Sequence, residues 1–213
     1  MSSDVTVSTF TPTPLDSSKR TWLIASGCAG CAGVVALATP FVRSFEPSEL
    51  AKAEGGPVEA DISGIKPGEK MIVAWRGKPV WILNRTPEMM ADLKKINPGD
   101  LADPDSKRTN YSTTPDYARN AARARSDHAN LLVMVGICTH LGCSPNDRFA
   151  SGAQPGLPDN WEGGFLCPCH GSKYDLSGRV FKNQPAPDNM QVPPYQYLNA
   201  TRLLIGDDTA KKA

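Results

Sequence analysis

Two short stretches decide the fold of this chain: Cys138-Thr139-His140-Leu141-Gly142-Cys143, the first box, and Cys167-Pro168-Cys169-His170-Gly171-Ser172, the second box. Each box offers a cysteine and a histidine at metal-ligand spacing, Cys138-x-His140 in one and Cys167-x-x-His170 in the other. Two thiolates and two imidazoles suit zinc or a [2Fe–2S] centre with two histidines on one iron. One cysteine remains in each box, Cys143 and Cys169, and such a pair can form a disulfide that ties the loops together, which a plain zinc ribbon does not need.

The segments around the boxes predict short β-strands. The apolar run at 131–137 predicts a buried strand that leads into the first box, and Gly164–Leu166 does the same for the second. The runs Lys70–Trp75 and 79–83 flank Arg76-Gly77-Lys78, which is typical of a hairpin, and 195–198 with Arg202–Ile205 predict another.

One helix is predicted between these strands. Thr86 can cap it, Pro87 suits its first position, and it runs to about Ile96, before Asn97-Pro98-Gly99 stops it. No internal repeat or second domain is evident.

The N-terminal part of the chain contains one candidate membrane span, at 21–43. No charged residue lies between Thr21 and Val42, and roughly 22 residues in a helix cover about 33 Å, enough for a hydrocarbon core of about 30 Å. Lys19 and Arg20 precede the span, which predicts that the N-terminus stays in the cytoplasm and the head lies outside, in the periplasm. The alternative is a signal peptide cleaved after Ala36-Leu37-Ala38.

The predicted organisation is a cytoplasmic tail at 1–20, the span at 21–43, a flexible hinge at 44–57 and a domain at 58–209, whose cluster-binding part covers about 136–187. The segment at 18–23 is similar to a twin-arginine export signal, with Lys19 in place of the first arginine. Cys28 and Cys31 form a Cys-x-x-Cys inside the span, where we interpret them as small packing residues.

The two boxes resemble those of the Rieske iron-sulfur proteins, in particular the Rieske subunits of bacterial cytochrome bc1 complexes. Both boxes match without gaps, and the similarity covers most of the chain. It runs from the basic tail and span through Arg85-Thr86-Pro87-Glu88 to Lys173-Tyr174-Asp175 and the Pro185-Ala186-Pro187 loop. One departure is Gln184, because the family usually has glycine before that loop.

The resemblance implies a mainly β fold: an antiparallel β-sandwich head with a cluster-binding subdomain, plus one N-terminal transmembrane helix. It implies one Rieske-type [2Fe–2S] cluster, with Cys138 and Cys167 on one iron and His140 and His170 on the other, and a Cys143–Cys169 disulfide. Histidine ligands raise the reduction potential above that of an all-cysteine cluster. By the same resemblance, Ser172 and Tyr174 donate hydrogen bonds to cluster sulfur and to the Cys138 sulfur.

The implied function is electron transfer within a quinol–cytochrome c reductase, not by this subunit alone. His170 would meet ubiquinol and accept a proton, Leu141 would pack against the quinone pocket, and the electron would pass to cytochrome c1. The implied partners are cytochromes b and c1 in a dimeric complex, with quinone, in the bacterial inner membrane.

Three alternatives remain open at this point. They are the Rieske subunit of another periplasmic oxidoreductase such as arsenite oxidase, a soluble oxygenase ferredoxin, and a structural zinc site. The oxygenase version lacks the extra cysteine pair and the span.

Other charged features point to no separate function. With a net charge of +1 and 40% apolar residues, nothing indicates nucleic-acid binding. Arg119, Arg123 and Arg125 form a basic run that we interpret as a solvated face rather than a docking patch. His128 belongs to neither box and is interpreted as a surface or structural histidine.

Overall fold

The computed structural model describes residues 16–48, 55–110 and 113–209, in two compact units divided after Leu50. The first unit contains helix α1, Ser17–Arg43. The helix begins at Ser17 rather than at 21 because the Asp16 carboxylate accepts a hydrogen bond from the Ser18 N–H and caps it. It is long and apolar enough to cross a membrane, and none of its residues is buried.

The predicted hinge at 44–57 is described only in part, since 49–54 lie outside the described residues. At its C-terminal end the Gly55 carbonyl accepts a hydrogen bond of 3.0 Å from Arg76 Nε. Gly55 is therefore attached to the second unit.

The described part of the second unit forms three antiparallel sheets of three strands each, in the orders β1-β9-β8, β2-β3-β4 and β5-β6-β7. The strands are β1 Val58–Asp61, β2 Lys70–Trp75, β3 Lys78–Asn84, β4 Leu131–Val135, β5 Asn146–Arg148, β6 Gly164–Leu166, β7 Lys173–Asp175, β8 Tyr195–Tyr197 and β9 Arg202–Ile205. This confirms the mainly β fold with one N-terminal helix.

Both predicted hairpins are present. Strands β2 and β3 pair from Lys70↔Leu83 to Trp75↔Lys78, and the two turn residues, Arg76 and Gly77, both have positive φ, 51° and 68°. That is the combination a two-residue turn needs to match the twist of its strands. Strands β8 and β9 pair in the same antiparallel sense.

The predicted helix is α2, Pro87–Lys95, with proline in the first turn. Thr86 Oγ1 accepts a hydrogen bond from the Met89 N–H and caps the helix. Leu93 is buried, and a 3₁₀ turn at Pro98–Asp100 follows.

Strands β3 and β4 of the sheet β2-β3-β4 are covered on both faces, which explains why the run in β4 is continuously apolar rather than alternating. Alternate residues Val80, Ile82 and Val133 pack into one core with residues of β1, β8 and β9. Their neighbours Trp81, Leu132 and Met134 point to the opposite face and pack into a second core. That core also contains Cys138, Phe165, Cys167 and Tyr174. The two predicted ligand cysteines, Cys138 and Cys167, therefore lie in the second core.

Gly136 allows β4 to lead into the first box at very close range to Trp81. A Cβ placed at this position would lie 2.0 Å from Trp81 Cε2, which no side chain could tolerate. Trp81 also contacts Phe165 of β6, at 5.4 Å between ring centroids. Gly136 thus lets β4, the Trp81 indole and the sheet β5-β6-β7 pack together next to the boxes.

Candidate metal centre

The two boxes fold into loops of the same design. In the first, the Cys138 N–H donates to the Cys143 carbonyl at 2.8 Å, and the Gly142 N–H donates back to the Cys138 carbonyl at 3.1 Å. In the second, the Cys167 N–H donates to the Ser172 carbonyl at 2.8 Å, and the Gly171 N–H to the Cys167 carbonyl at 3.0 Å. Each closing glycine has positive φ, 84° and 76°. The paired loops are thus fixed by their own backbone.

Cys143 and Cys169 form a disulfide between the two loops, as the sequence predicts. The sulfurs of Cys143, Cys167 and Cys169 all lie within 4.8 Å of one another. Two of these three are bonded to each other, so this group cannot supply three thiolates. The disulfide instead holds the second loop against the first, with Cys167 beside it.

Cys138 and Cys167 remain free thiols, and each is only 2% exposed. Burial raises the pKa of the Cys167 thiol, the adjacent Cys138 thiol raises it further, and the backbone N–H groups of Cys169 and His170 act in the opposite direction. Such N–H groups would stabilise a thiolate once a metal replaced the proton.

The histidines of the two boxes meet edge to face, with ring centroids 4.7 Å apart. His140 is half-buried, and its Nδ1 is buried with no hydrogen-bond partner among the described residues. His170 is exposed. A buried ring nitrogen without a partner, next to two buried thiols and a second imidazole, fits a metal ligand. The four predicted ligands are therefore brought together, and their donor set fits a [2Fe–2S] cluster with two histidine ligands.

Tyr174 lies directly beside the first box. Its hydroxyl donates to Cys138 Sγ at 3.2 Å and accepts a hydrogen bond of 3.2 Å from the Thr139 N–H. Burial raises the pKa of Tyr174, and the neighbouring Cys138 raises it further, so the hydroxyl keeps its proton for donation at neutral pH. Thr139 is a contributor that the sequence analysis missed, although its position between two predicted ligands was the available signal.

Ser172 is fully buried, and its Oγ accepts a hydrogen bond of 3.0 Å from the Ala186 N–H. The hydroxyl proton is left for another acceptor, and none is found for it among the described residues. The second box is thereby joined to the Pro185-Ala186-Pro187 loop.

Gln184 joins the same loop to β7. Its Oε1 accepts from the Lys173 N–H at 3.2 Å, and its Nε2 donates to the Lys182 carbonyl at 3.2 Å. The positive φ in this segment belongs to Asn183, at 56°, not to Gln184. Glycine is therefore not needed at 184, and the side chain adds contacts that glycine could not make.

The remaining predicted residues lie as follows. Leu141 is 71% exposed within the first box. His128 packs against the Tyr197 ring, at 4.2 Å between centroids, as expected of a structural histidine.

The interpretation of the arginine run as a solvated face is wrong for Arg123, which is completely buried. Its guanidinium donates to the carbonyls of Ser177, Gly178 and Met190 and to Thr114 Oγ1. Arg125 is half-buried and stacks over Tyr117. Carbonyl acceptors far along the chain explain this burial, and the local sequence carries no sign of them.

Comparison with known proteins agrees with this geometry. The family model for the Rieske [2Fe–2S] domain matches residues 106–196, which include both boxes and the Pro185-Ala186-Pro187 loop. The fold and the family match thus define a Rieske [2Fe–2S] protein, and the two thiols and two imidazoles of the site fit that cluster.

Relatives that extend over most of the chain define the family more narrowly. The ubiquinol–cytochrome c reductase iron-sulfur subunit of Allochromatium vinosum is 48% identical and covers 89% of this chain and 88% of its own. Subunits of the same name from Bradyrhizobium diazoefficiens and Blastochloris viridis are 40% and 38% identical, over 86% and 92% of this chain and 90% and 96% of their own. The chain belongs to the family of ubiquinol–cytochrome c reductase iron-sulfur subunits. A chain of a solved hyperthermophilic respiratory Complex III is 25% identical and covers 84% of this chain and 97% of its own, with a TM-score of 0.42, too low to support an argument.

Proposed function

We propose that this chain is the electron-transfer subunit of a bacterial quinol–cytochrome c reductase and works as part of that complex, not alone. The observation that carries the proposal is the unequal exposure of the four candidate ligands. Cys138 and Cys167 are buried, whereas His170 is exposed at the surface of the same site. A centre held by buried thiols but bordered by an accessible imidazole can meet a substrate through that imidazole.

In this proposal Cys138 and Cys167 hold one iron, and His140 and His170 hold the other. When bound, the cluster supplies a one-electron acceptor of raised potential, because neutral imidazoles replace two thiolates. His170 offers its outer ring nitrogen to the quinol hydroxyl, accepts a hydrogen bond from it and then takes its proton. Leu141 provides an exposed apolar contact beside this position for the quinone ring.

Ser172 and Tyr174 hold their hydroxyl protons toward the sulfur atoms of the site. Both residues are buried, so water does not compete for these hydrogen bonds. A donor aimed at sulfur stabilises the more negative form of the centre and so favours electron acceptance.

Helix α1 supports membrane anchoring by length and composition, in agreement with the membership of the chain in a respiratory family. We propose that the anchor is retained, that the tail lies in the cytoplasm and that the head lies in the periplasm. Lys19 and Arg20 ahead of the helix support this orientation. The oxidising periplasm would preserve the Cys143–Cys169 disulfide.

We further propose cytochromes b and c1 of a dimeric complex as the partners, with ubiquinol as the reductant. Segment 44–57 would act as a hinge, since one head would have to reach a quinol pocket and then a cytochrome haem. The names of the relatives support the reductase rather than arsenite oxidase.

The proposal is tested by purifying the chain from membranes under mild detergent. We expect cytochromes b and c1 to copurify. We also expect the line shape of the paramagnetic signal of the reduced cluster, followed during a redox titration, to change when quinone is added. Copurification with a molybdenum oxidoreductase would contradict the proposal. So would a cluster signal that stays the same when quinone is added and when quinone is removed.

A further inference from the structure

Two buried arginines converge on the turn that follows β7. Arg85 donates from Nη1 to Ser177 Oγ at 2.8 Å and to the Leu176 carbonyl at 3.1 Å. Arg123 donates from its own Nη1 to the Ser177 carbonyl at 3.1 Å and to the Gly178 carbonyl at 3.2 Å. Both guanidinium groups are therefore fixed on the same turn, three residues beyond Tyr174.

The hydrogen bonds of both arginines go only to uncharged oxygens, as far as the described residues show. The other acceptors are the carbonyls of Ala129, Asn130 and Met190 and the hydroxyl of Thr114. Arg179 differs, because its Nε forms a 2.6 Å ion pair with the buried Asp175 carboxylate. Burial lowers the pKa of Arg85 and of Arg123 to about 10, against the opposing effect of Asp175, so both stay cationic at neutral pH.

The apolar second core borders the Arg123 guanidinium and also contains the two candidate ligand cysteines. A Cβ on Gly178 would lie 3.3 Å from Arg123 Nη1 and 2.7 Å from Met134 Sδ, so the guanidinium borders the second core directly. That core contains Met134, Cys138, Cys167 and Tyr174. The Cα atoms of Tyr174 and Ser177 are at most about 11 Å apart. In such a medium charges interact over these distances far more strongly than in water.

We propose that Arg85 and Arg123 set the reduction potential of the centre through their positive charge, in addition to the hydrogen bonds to sulfur. The inference rests on the proposed function, since it requires a redox-active cluster at this site. Reduction adds one electron, and a fixed buried cation stabilises the added negative charge. The buried carboxylates of Asp103, Asp175 and Asp188 act in the opposite sense, and the charge of Asp175 is already paired with Arg179. The effect of each arginine is therefore measured by removing that arginine alone.

The experiment compares two kinds of substitution in the membrane-bound protein. Arg85→Gln and Arg123→Gln remove a charge but keep an amide donor. Ser177→Ala and Thr114→Val remove one acceptor of each arginine but keep the charge. Each variant is titrated with dithionite and mediators while the reduced-cluster paramagnetic signal is followed, and its thermal unfolding is recorded separately.

We expect both glutamine variants to have a lower potential than the parent protein, and the two acceptor variants to lose thermal stability with the parental potential. Arg125→Gln is the charge control, because Arg125 donates to the Tyr195 carbonyl beside the other core, and it should leave the potential unchanged. The shift in the glutamine variants should also persist at high salt, since a buried charge is not screened.

Unchanged potentials in Arg85→Gln and Arg123→Gln would overturn the inference, as would equal shifts in the acceptor variants, which would indicate distortion. If neither glutamine variant accumulates, Ser177→Asp and Thr114→Asp decide, because each puts a carboxylate in place of a hydroxyl that Arg85 or Arg123 binds and so compensates the charge of that arginine. Both should lower the potential, and no fall would contradict the inference. A parent protein without a cluster signal would instead refute the proposed function.

Discussion

The Tyr174 hydroxyl donates its single proton to Cys138 Sγ, across 3.2 Å. The Thr139 N–H donates to the same hydroxyl oxygen, and Thr139 Oγ1 is itself committed as a donor to the Asp188 carbonyl at 2.6 Å. Thr139 Oγ1 lies 3.3 Å from the phenolic oxygen and can therefore only accept from it, as a second acceptor beside Cys138 Sγ. The hydrogen bond to Cys138 links β7 to the first box through the sulfur of a candidate ligand.

Replacing Tyr174 with phenylalanine should lower the reduction potential by tens of millivolts, because the lost bond stabilises the reduced centre. A hydrogen bond of about 1 kcal/mol corresponds to roughly 40 mV in a one-electron couple. Tyr195→Phe is the matched control, since Tyr195 is equally buried but accepts from the Arg125 N–H in the other core. A titration in which both variants keep the parental potential would remove Tyr174 from the tuning of the site.

Ser172→Ala should likewise lower the potential and slow quinol oxidation. It also deletes the acceptor of the Ala186 N–H, so we expect a stability loss of about 1 kcal/mol. Gln184→Gly separates the two effects, because it removes a different link to the same loop, the bond from the Lys173 N–H, without touching a hydroxyl. If Gln184→Gly lowered the reduction potential as much as Ser172→Ala does, the loop and not the hydroxyl would set the potential.

Substitution of any candidate ligand, as in Cys138→Ser, His140→Ala, Cys167→Ser or His170→Ala, should abolish the cluster, because a metal bond is lost without a replacement. Cys143→Ser should instead retain some cluster at lower yield, since it removes only the link between the loops. His128→Ala is the control and should leave the visible spectrum unchanged. An intact spectrum in any of the four ligand variants would overturn that assignment.

Local patterns predicted much of this fold. The Arg76-Gly77 turn, the cap at Thr86 and the strand into the second box are all determined by neighbouring residues, and the structure has each of them. Strands β1, β5 and β7 were missed. They are short, and β1 pairs with β9 more than a hundred residues away, so no local periodicity indicates them.

The candidate site, like the fold, could be predicted from the sequence only in part. Both boxes are contiguous, so the candidate ligands and the Cys143–Cys169 pair could be predicted from spacing and resemblance. The burial of Arg123 and the contact of Gln184 with the Lys173 N–H could not, because Met190 is 67 residues from Arg123 and Lys173 is 11 residues from Gln184. Their roles exist only once the turn after β7 and the proline loop are folded together.

The proposed hinge predicts a kinetic separation. Replacing Gly55 and Gly56 with prolines stiffens the segment but keeps the Gly55 carbonyl that Arg76 binds. Cluster content, potential and first reduction by quinol should stay close to the parental values, while turnover to cytochrome c falls sharply. Single-turnover reduction and steady-state rate are measured side by side. Unchanged turnover would make the segment a passive tether, and an equal fall in both rates would show a misplaced head.

The central claim is that two imidazoles and two thiolates hold a [2Fe–2S] cluster between the boxes. Pulsed paramagnetic resonance of the dithionite-reduced protein, combined with iron and zinc analysis, tests it most directly. We predict two irons per chain, one [2Fe–2S] signal and couplings to two imidazole nitrogens, with both couplings absent from the ligand variants. Stoichiometric zinc without a signal, or a [2Fe–2S] signal that lacks nitrogen couplings, would contradict the account.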